Sequence, residues 1–406
     1  MVFKNYVIKH QEKIFPVLDV ALNGLNYFFH IYCSWYLSQR NYGVLNSLLS
    51  ILAIMLVTGI SFQTFTAKEI AANGVKINKI FQAALLYFFT IDILYFAFLK
   101  KLLIITEASR ISLIIILSAF ILNLFLSISR GVFQGKKEFF NLNISFYLEV
   151  VSKIIFLVVL LPLFKSVEAI LLSITLGMLV SIIHGIAKLG INKRSKIIRE
   201  KNLGPVIRQT GIIFASNFFI YYFTSIDMII VNYFLGKEAG IYAVVLRYSQ
   251  IVLFVSFSLM TIFIPNLSSA RYSKDEFHQK VQKYFFLLLG IQVLMMVAYY
   301  TVFPFTVKYL FGIDYIGASH YLTRGAFMYV MLVNSFFMVN VNIILERGKY
   351  LILLFIGALS LTILLFKFSF GIVQVLDIGT GVYTILFATL GLLYLFERRK
   401  VYEKVI

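Results

Sequence analysis

The chain has 406 residues, of which 60% are apolar and 14% charged, and its mean hydropathy is +0.89. Such a balance excludes a soluble domain, which needs far more charged surface. The net charge of +19 points in a soluble protein to nucleic acid, but here the cations sit in short loops between apolar segments and report membrane topology.

In chain order, residues 1–13 form a basic amphipathic lead-in expected to lie at the membrane surface. Twelve apolar segments follow, at roughly 14–37, 43–66, 80–99, 111–131, 141–164, 167–187, 208–235, 240–265, 284–303, 318–345, 350–368 and 371–396. Each is long enough to cross a hydrocarbon core of about 30 Å as a helix. A helix also satisfies its own backbone, which no lipid can do. The ten-residue alternation of a membrane barrel is missing, so the expected class is an all-α polytopic membrane protein. The first segment is too long for a secretory h-region and has no small-residue cleavage site after it, so no cleavable leader is expected. The single cysteine, Cys33, lies inside that segment and leaves no intrachain disulfide to form.

A repeat organises the chain. Leu37 to Val44 joins the first two segments, and Leu235 to Ile241 joins the seventh and eighth by a similar Gly-containing link. Leu235 follows Leu37 by 198 residues, and Gly240 follows Gly43 by 197. Internal similarity of this kind in a membrane chain indicates a duplicated transporter with its site between the halves. The charged stretch 188–209 is the natural linker, giving lobes 1–200 and 201–406 with six spans each. All five prolines are expected at or near span ends, where their missing amide costs least. With the N-terminus inside, the inner segments hold 26 Lys and Arg against 8 on the outer side, so both termini are expected in the cytoplasm.

Polar residues within the spans mark the candidate site. Asp19, Asn23, Asn26 and His30 follow one another by four, three and four residues and share one helical face. That face must meet water or a partner helix. The seventh span carries Asn217, Tyr221 and Asp227; the eighth Arg247 and Gln250; the tenth Arg324 with a stripe through Met328, Met331, Ser335, Met338 and Asn342. The fourth ends on Asn123, Ser127 and Arg130. A cation at mid-bilayer costs about 2.5–3.5 kcal/mol to insert and so requires a partner or a wet cavity. Lys153 has Glu149 one turn before it and is expected to pair with it. Arg247 and Arg324 have no acid one turn away on their own helix, so pairing with Asp227 or Asp19 and binding of an anionic ligand both stay open. No phosphate-cradling Walker lysine loop, H-E-x-x-H or metal-ligand spacing occurs, so no catalytic residue, metal or cofactor is expected.

Tyr42-Gly43-Val44, Ser225-Ile226-Asp227, and Leu235-Gly236 with Gly240-Ile241-Tyr242, set in twelve spans with a basic central linker, resemble the Wzx-type O-antigen and capsule repeat-unit flippases of the MOP superfamily. Relatives of that family include the lipid II flippase and the MATE exporters. The resemblance covers nearly the whole chain and implies two six-helix lobes, a central cavity, and rocking between inward-open and outward-open states. It implies a lipid-linked oligosaccharide on undecaprenyl diphosphate as substrate and membrane lipid as surroundings. With no ATP-binding domain in the sequence, the expected driving force is an ion gradient (H+ or Na+), the membrane potential or the substrate's own gradient, and Asp19 and Asp227 are the coupling or charge-pair candidates. Location in a bacterial cytoplasmic (inner) membrane follows from the resemblance, and nucleic acid is not expected as a partner. In that frame Arg247 and Arg324 contact the diphosphate, while Asn23, Asn26, His30, Asn217, Tyr221 and Gln250 line the cavity. A MATE-like cation-coupled exporter of small molecules is the alternative. A membrane glycan polymerase or ligase is a third reading, disfavoured because no long outer loop rich in Arg and His is present.

Overall fold

The computed structural model describes residues 11–72, 77–189, 203–270, 273–345 and 348–402. Its helices are α1 (Gln11–Tyr36), α2 (Gln39–Ala71), α3 (Ile77–Ala97), α4 (Leu99–Thr106), α5 (Arg110–Gly135), α6 (Phe139–Phe164), α7 (Val167–Leu189) and α8 (Gly204–Phe223). They continue as α9 (Ile226–Leu235), α10 (Glu238–Ser269), α11 (Lys274–Thr301), α12 (Phe303–Leu310), a 3-10 segment (Ile313–Tyr321), α13 (Leu322–Ile344), α14 (Tyr350–Phe368) and α15 (Ile372–Tyr402). There is no strand among the described residues. Eleven stretches among them are long and apolar enough to cross a membrane, and α1 adds a further helix of 26 residues. The protein is an all-α, multi-pass membrane protein. Most of the surface lead-in, residues 1–10, and most of the linker, 190–202, lie outside the described residues.

The chain divides into two compact units, Met1–Tyr221 and Tyr222–Ile406. In the first, α6 packs on α7, and α5 packs on both α2 and α7. In the second, α13 lies against α10 and α15, and α14 lies against α15. The paired links are both present as two-residue breaks. At the first, Ser38 Oγ caps α2 by accepting the Asn41 amide at 3.3 Å. At the second, Gly236 turns the chain at φ +52°, a region that favours glycine. The helices restart earlier than expected, so Tyr42-Gly43-Val44 and Gly240-Ile241-Tyr242 are helical rather than linking. Pro265 departs further from expectation, since α10 runs through it to Ser269. The side chains of Asn266 and Ser268 donate back to Ile262 O and Ile264 O there, four residues earlier on the same helix.

The first unit owes its tightest helix crossing to small residues. Gly131 and Gly135, four apart on α5, bring that helix onto the backbone of α2. A Cβ on Gly131 would lie 2.6 Å from Thr66 Cβ and 2.7 Å from the Gln63 carbonyl oxygen. One added on Gly59 would fall on the amide of Asn123, which is buried and accepts from Ser127 Oγ at 3.2 Å. Asn123 and Ser127 are therefore packing residues of the α2–α5 seam. Gly131→Ala should overpack that seam and cost about 1–3 kcal/mol. Thermal unfolding of the detergent-solubilised protein checks this, and a midpoint equal to wild type would show that the crossing has slack.

Candidate functional site

Each unit holds its own set of polar groups at membrane depth. In the second unit the set is built around a helix interruption. The expected unbroken span 208–235 is in fact two helices, α8 and α9, separated at Thr224–Ser225. Two hydroxyl residues in succession offer the backbone alternative partners and favour a new helix start, and an acid in the following first turn suits the positive end of the helix dipole. That acid is Asp227, buried at 3% exposure. Its Oδ1 accepts from the Met228 amide at 2.8 Å and its Oδ2 from the Tyr242 hydroxyl of α10 at 2.7 Å. The broken backbone is closed by neighbours. The Ser225 amide donates to Tyr222 O at 3.1 Å, and the Tyr383 hydroxyl of α15 donates to Phe223 O at 2.8 Å. Irregular backbone at this depth is tolerated only when protein or a wet cavity surrounds it. In secondary transporters, interrupted helices are where binding groups are placed.

Arg247 lies on α10, half-buried, with Nη1 donating to Gln250 Oε1 at 2.8 Å. Its charge interacts with Asp227 and Tyr329, so the cation, the acid and the tyrosines form one electrostatic neighbourhood. Asp227 takes its hydrogen bonds from Tyr242 and Met228 rather than from an arginine. Arg324 departs from expectation in a different way. It sits in the first turn of α13 rather than at mid-span and pairs with Asp377 of α15 at 3.3 Å, with both side chains more than half exposed. An exposed pair of this kind contributes about 0–1 kcal/mol. The remaining stripe on α13 packs inward: Met328 lies on Gly379, and Ser335 and Asn342 donate to backbone carbonyls.

In the first unit, Asn23 on α1 is exposed, His30 is half-buried with its ring edge-on to Phe29, and Asn26 accepts a hydrogen bond from Lys153 of α6. Asn217 and Tyr221 on α8 are half-buried. Asp19 lies on α1, but its side chain falls outside the described residues. The expected Glu149–Lys153 pair is replaced by another. Glu149 binds Arg130 of α5 at 2.6 Å, and Arg130 also donates to Ser145 Oγ at 2.9 Å and Ser145 O at 3.1 Å while its plane covers Phe146. The planar, multi-donor guanidinium satisfies several acceptors on one face of α6 at once, which a lysine cannot. Sequence spacing misses Asp377 and the Arg130 cluster because both are joined across helices. Three tyrosines (Tyr242, Tyr329, Tyr383) escape it because a tyrosine in an apolar run reads as core.

A family model described as polysaccharide biosynthesis protein matches residues 17–271. The chain belongs to that family. Its fold is that of the MOP superfamily. An inward-facing multidrug resistance MATE family transporter of that superfamily superposes with a TM-score of 0.74 at 12% identity, over 93% of this chain and 95% of the other. The lipid II flippase MurJ in an inward closed conformation gives 0.73 at 14% identity, over 94% and 87%. The MATE multidrug transporter DinF-BH gives 0.65 at 13%, over 95% and 94%. Among curated proteins none matches the sequence.

The Asp227–Tyr242 bond holds the helix break in register, which a pair of variants tests. Tyr242→Phe should destabilise the protein by about 1.5–3 kcal/mol, because a buried carboxylate loses a donor. Adding Asp227→Asn should recover part of that loss, as expected for two directly coupled groups. Additive effects in thermal unfolding would break the assignment.

Proposed function

We infer that this protein is a flippase that carries a lipid-linked oligosaccharide repeat unit from the cytoplasmic to the outer leaflet by alternating access, for surface polysaccharide synthesis. The family membership is the observation that carries the reading. The fold shared with a protein named lipid II flippase supports it in kind. The electrostatics agree. A diphosphate crosses an apolar core only where cations and donors replace its water, and arginine is well suited to phosphate. Arg247, oriented by Gln250, is the contact assigned to the diphosphate; Arg324, with Asp377 beside it, takes part only after exchanging that carboxylate for the substrate. Asn23, Asn26, His30, Asn217 and Tyr221 offer the amides, hydroxyl and ring that a glycan needs. Undecaprenyl diphosphate as the carrier, a bacterial inner-membrane location with both termini cytoplasmic, and a six-plus-six division near residue 200 complete the proposal. So does an H+ or Na+ gradient as driving force, with Asp227 and Asp19 as the coupling acids. The same fold occurs in proteins titled multidrug transporters, so small-molecule export is the reading to test against it.

Deletion should trap the lipid-linked glycan on the cytoplasmic face and remove surface polysaccharide. Arg247→Ala, expressed at the wild-type level, should do the same. Normal surface glycan in the deletion strain together with new drug sensitivity would transfer the protein to the exporter class.

A further inference from the structure

The first unit contains two basic side chains and one acid in the same stretch of membrane-depth structure. Arg130 takes the acid. Its bond to Glu149 is 2.6 Å long, it has two further bonds to Ser145, and Phe146 stacks beneath it. The surroundings of Arg130 are complete, with the Ser145 and Ser181 hydroxyls closing the cluster at 2.8 Å. Lys153 is one turn further along α6, near the midpoint of this 26-residue helix. Glu149 is the one carboxylate of the described residues whose charge Lys153 senses, and Arg130 already neutralises it. The ammonium instead donates to the neutral Oδ1 of Asn26 and sits 4.5 Å from the centre of the Phe29 ring. An amide oxygen and a ring face hold a cation in place without supplying the counter-charge that a carboxylate brings.

The position is fixed on both sides. Gly177 of α7 lets that helix close onto the backbone of α6, where an added Cβ would come within 3.0 Å of the Lys153 amide nitrogen and Cβ. The lysine stem therefore cannot swing toward α7. The head is directed onto α1, on which Asn23, Asn26 and His30 share a face. Among the described residues no carboxylate forms an ion pair with this cation, and a cation near mid-span beside neutral polar groups is suited to meet an anion.

We propose that Lys153, oriented by Asn26 and Phe29, is the anion contact of the first unit and binds the phosphate group of a lipid-borne substrate. This rests on the flippase reading and adds to it a residue of the first unit. The shared chemistry is a phosphate on a lipid tail, which either the substrate or an anionic bilayer phospholipid could supply.

The test uses the full chain in phosphatidylcholine nanodiscs titrated with farnesyl diphosphate, with farnesol as the uncharged control. Lys153→Met keeps the apolar stem against Phe29 and removes the charge. It should fold with unchanged thermal stability and bind farnesyl diphosphate at least about tenfold more weakly. Lys153→Arg should stay within about threefold of wild type, because the charge is kept; Lys153→Gln serves if the methionine variant does not yield monodisperse protein. Wild-type affinity in the neutral variant would overturn the assignment while leaving the flippase reading in place. Failure of the wild-type protein to bind farnesyl diphosphate any better than farnesol would overturn both. If nanodiscs containing phosphatidylglycerol abolish the Lys153-dependent binding, the ammonium serves bilayer lipid and the substrate assignment falls.

Discussion

Within a hydrocarbon core no water stands by to satisfy an unpaired amide or to screen an unpaired charge, and that constraint governs most of what this chain does. The interruption between α8 and α9 shows the constraint being met. Opening the helix at Thr224–Ser225 frees backbone groups, and the protein supplies Tyr383 from α15 for one carbonyl and Asp227 for an amide of the restarting helix. The carboxylate that caps the new helix then needs its own donor, which Tyr242 brings from α10. Three helices are therefore tied to one irregularity. The apolar residues that surround it supply bulk, but these few bonds determine where the break falls.

The same constraint sorts the basic residues by what they are able to do. Arg130 is locked among Glu149, Ser145 and Phe146, so its charge is consumed internally and its role is to hold α5 against α6. Removing one member of a buried pair costs about 3–5 kcal/mol, which is the behaviour of a structural element. Arg324 is paired but exposed, so its bond is weak and exchangeable. Arg247 donates to the neutral amide of Gln250 and lies within the electrostatic reach of Asp227, so its charge is shared with a carboxylate that it does not bond. Position in the sequence does not rank these three arginines; their partners do.

What a linear reading reaches follows the same division. Helix number, membrane insertion and the two similar links depend on runs of twenty or more apolar residues and on local turn chemistry, which such a reading captures well. The polar face on α1 is likewise legible, because four residues at helical spacing declare a common side. The break in the seventh span is not, because Thr224, Ser225 and Asp227 are spaced among Phe, Ile and Met and read as isolated polar residues of one long apolar segment. The pairing of Glu149 is misread from spacing for a clear reason: an i,i+4 partner is visible in sequence, whereas Arg130 reaches it from another helix. Asp377 escapes notice because the arginine it meets lies 53 residues earlier.

The two units of this chain share a way of joining helices but not their chemistry. Each unit has a two-residue break between consecutive helices, at 37–38 and at 236–237. Yet α1 runs unbroken from Gln11 to Tyr36, whereas the helix pair α8–α9 opens at a hydroxyl pair followed by an acid. The first unit presents amides and a lysine steadied by an aromatic ring; the second presents an arginine steadied by a glutamine, beside a carboxylate fixed by tyrosine. Helix packing leaves each unit at liberty to differ in the polar residues that packing does not need. The polar equipment is therefore where selection for a particular cargo can act, because apolar packing constrains the helices while the polar groups alone decide which chemistry each unit can meet.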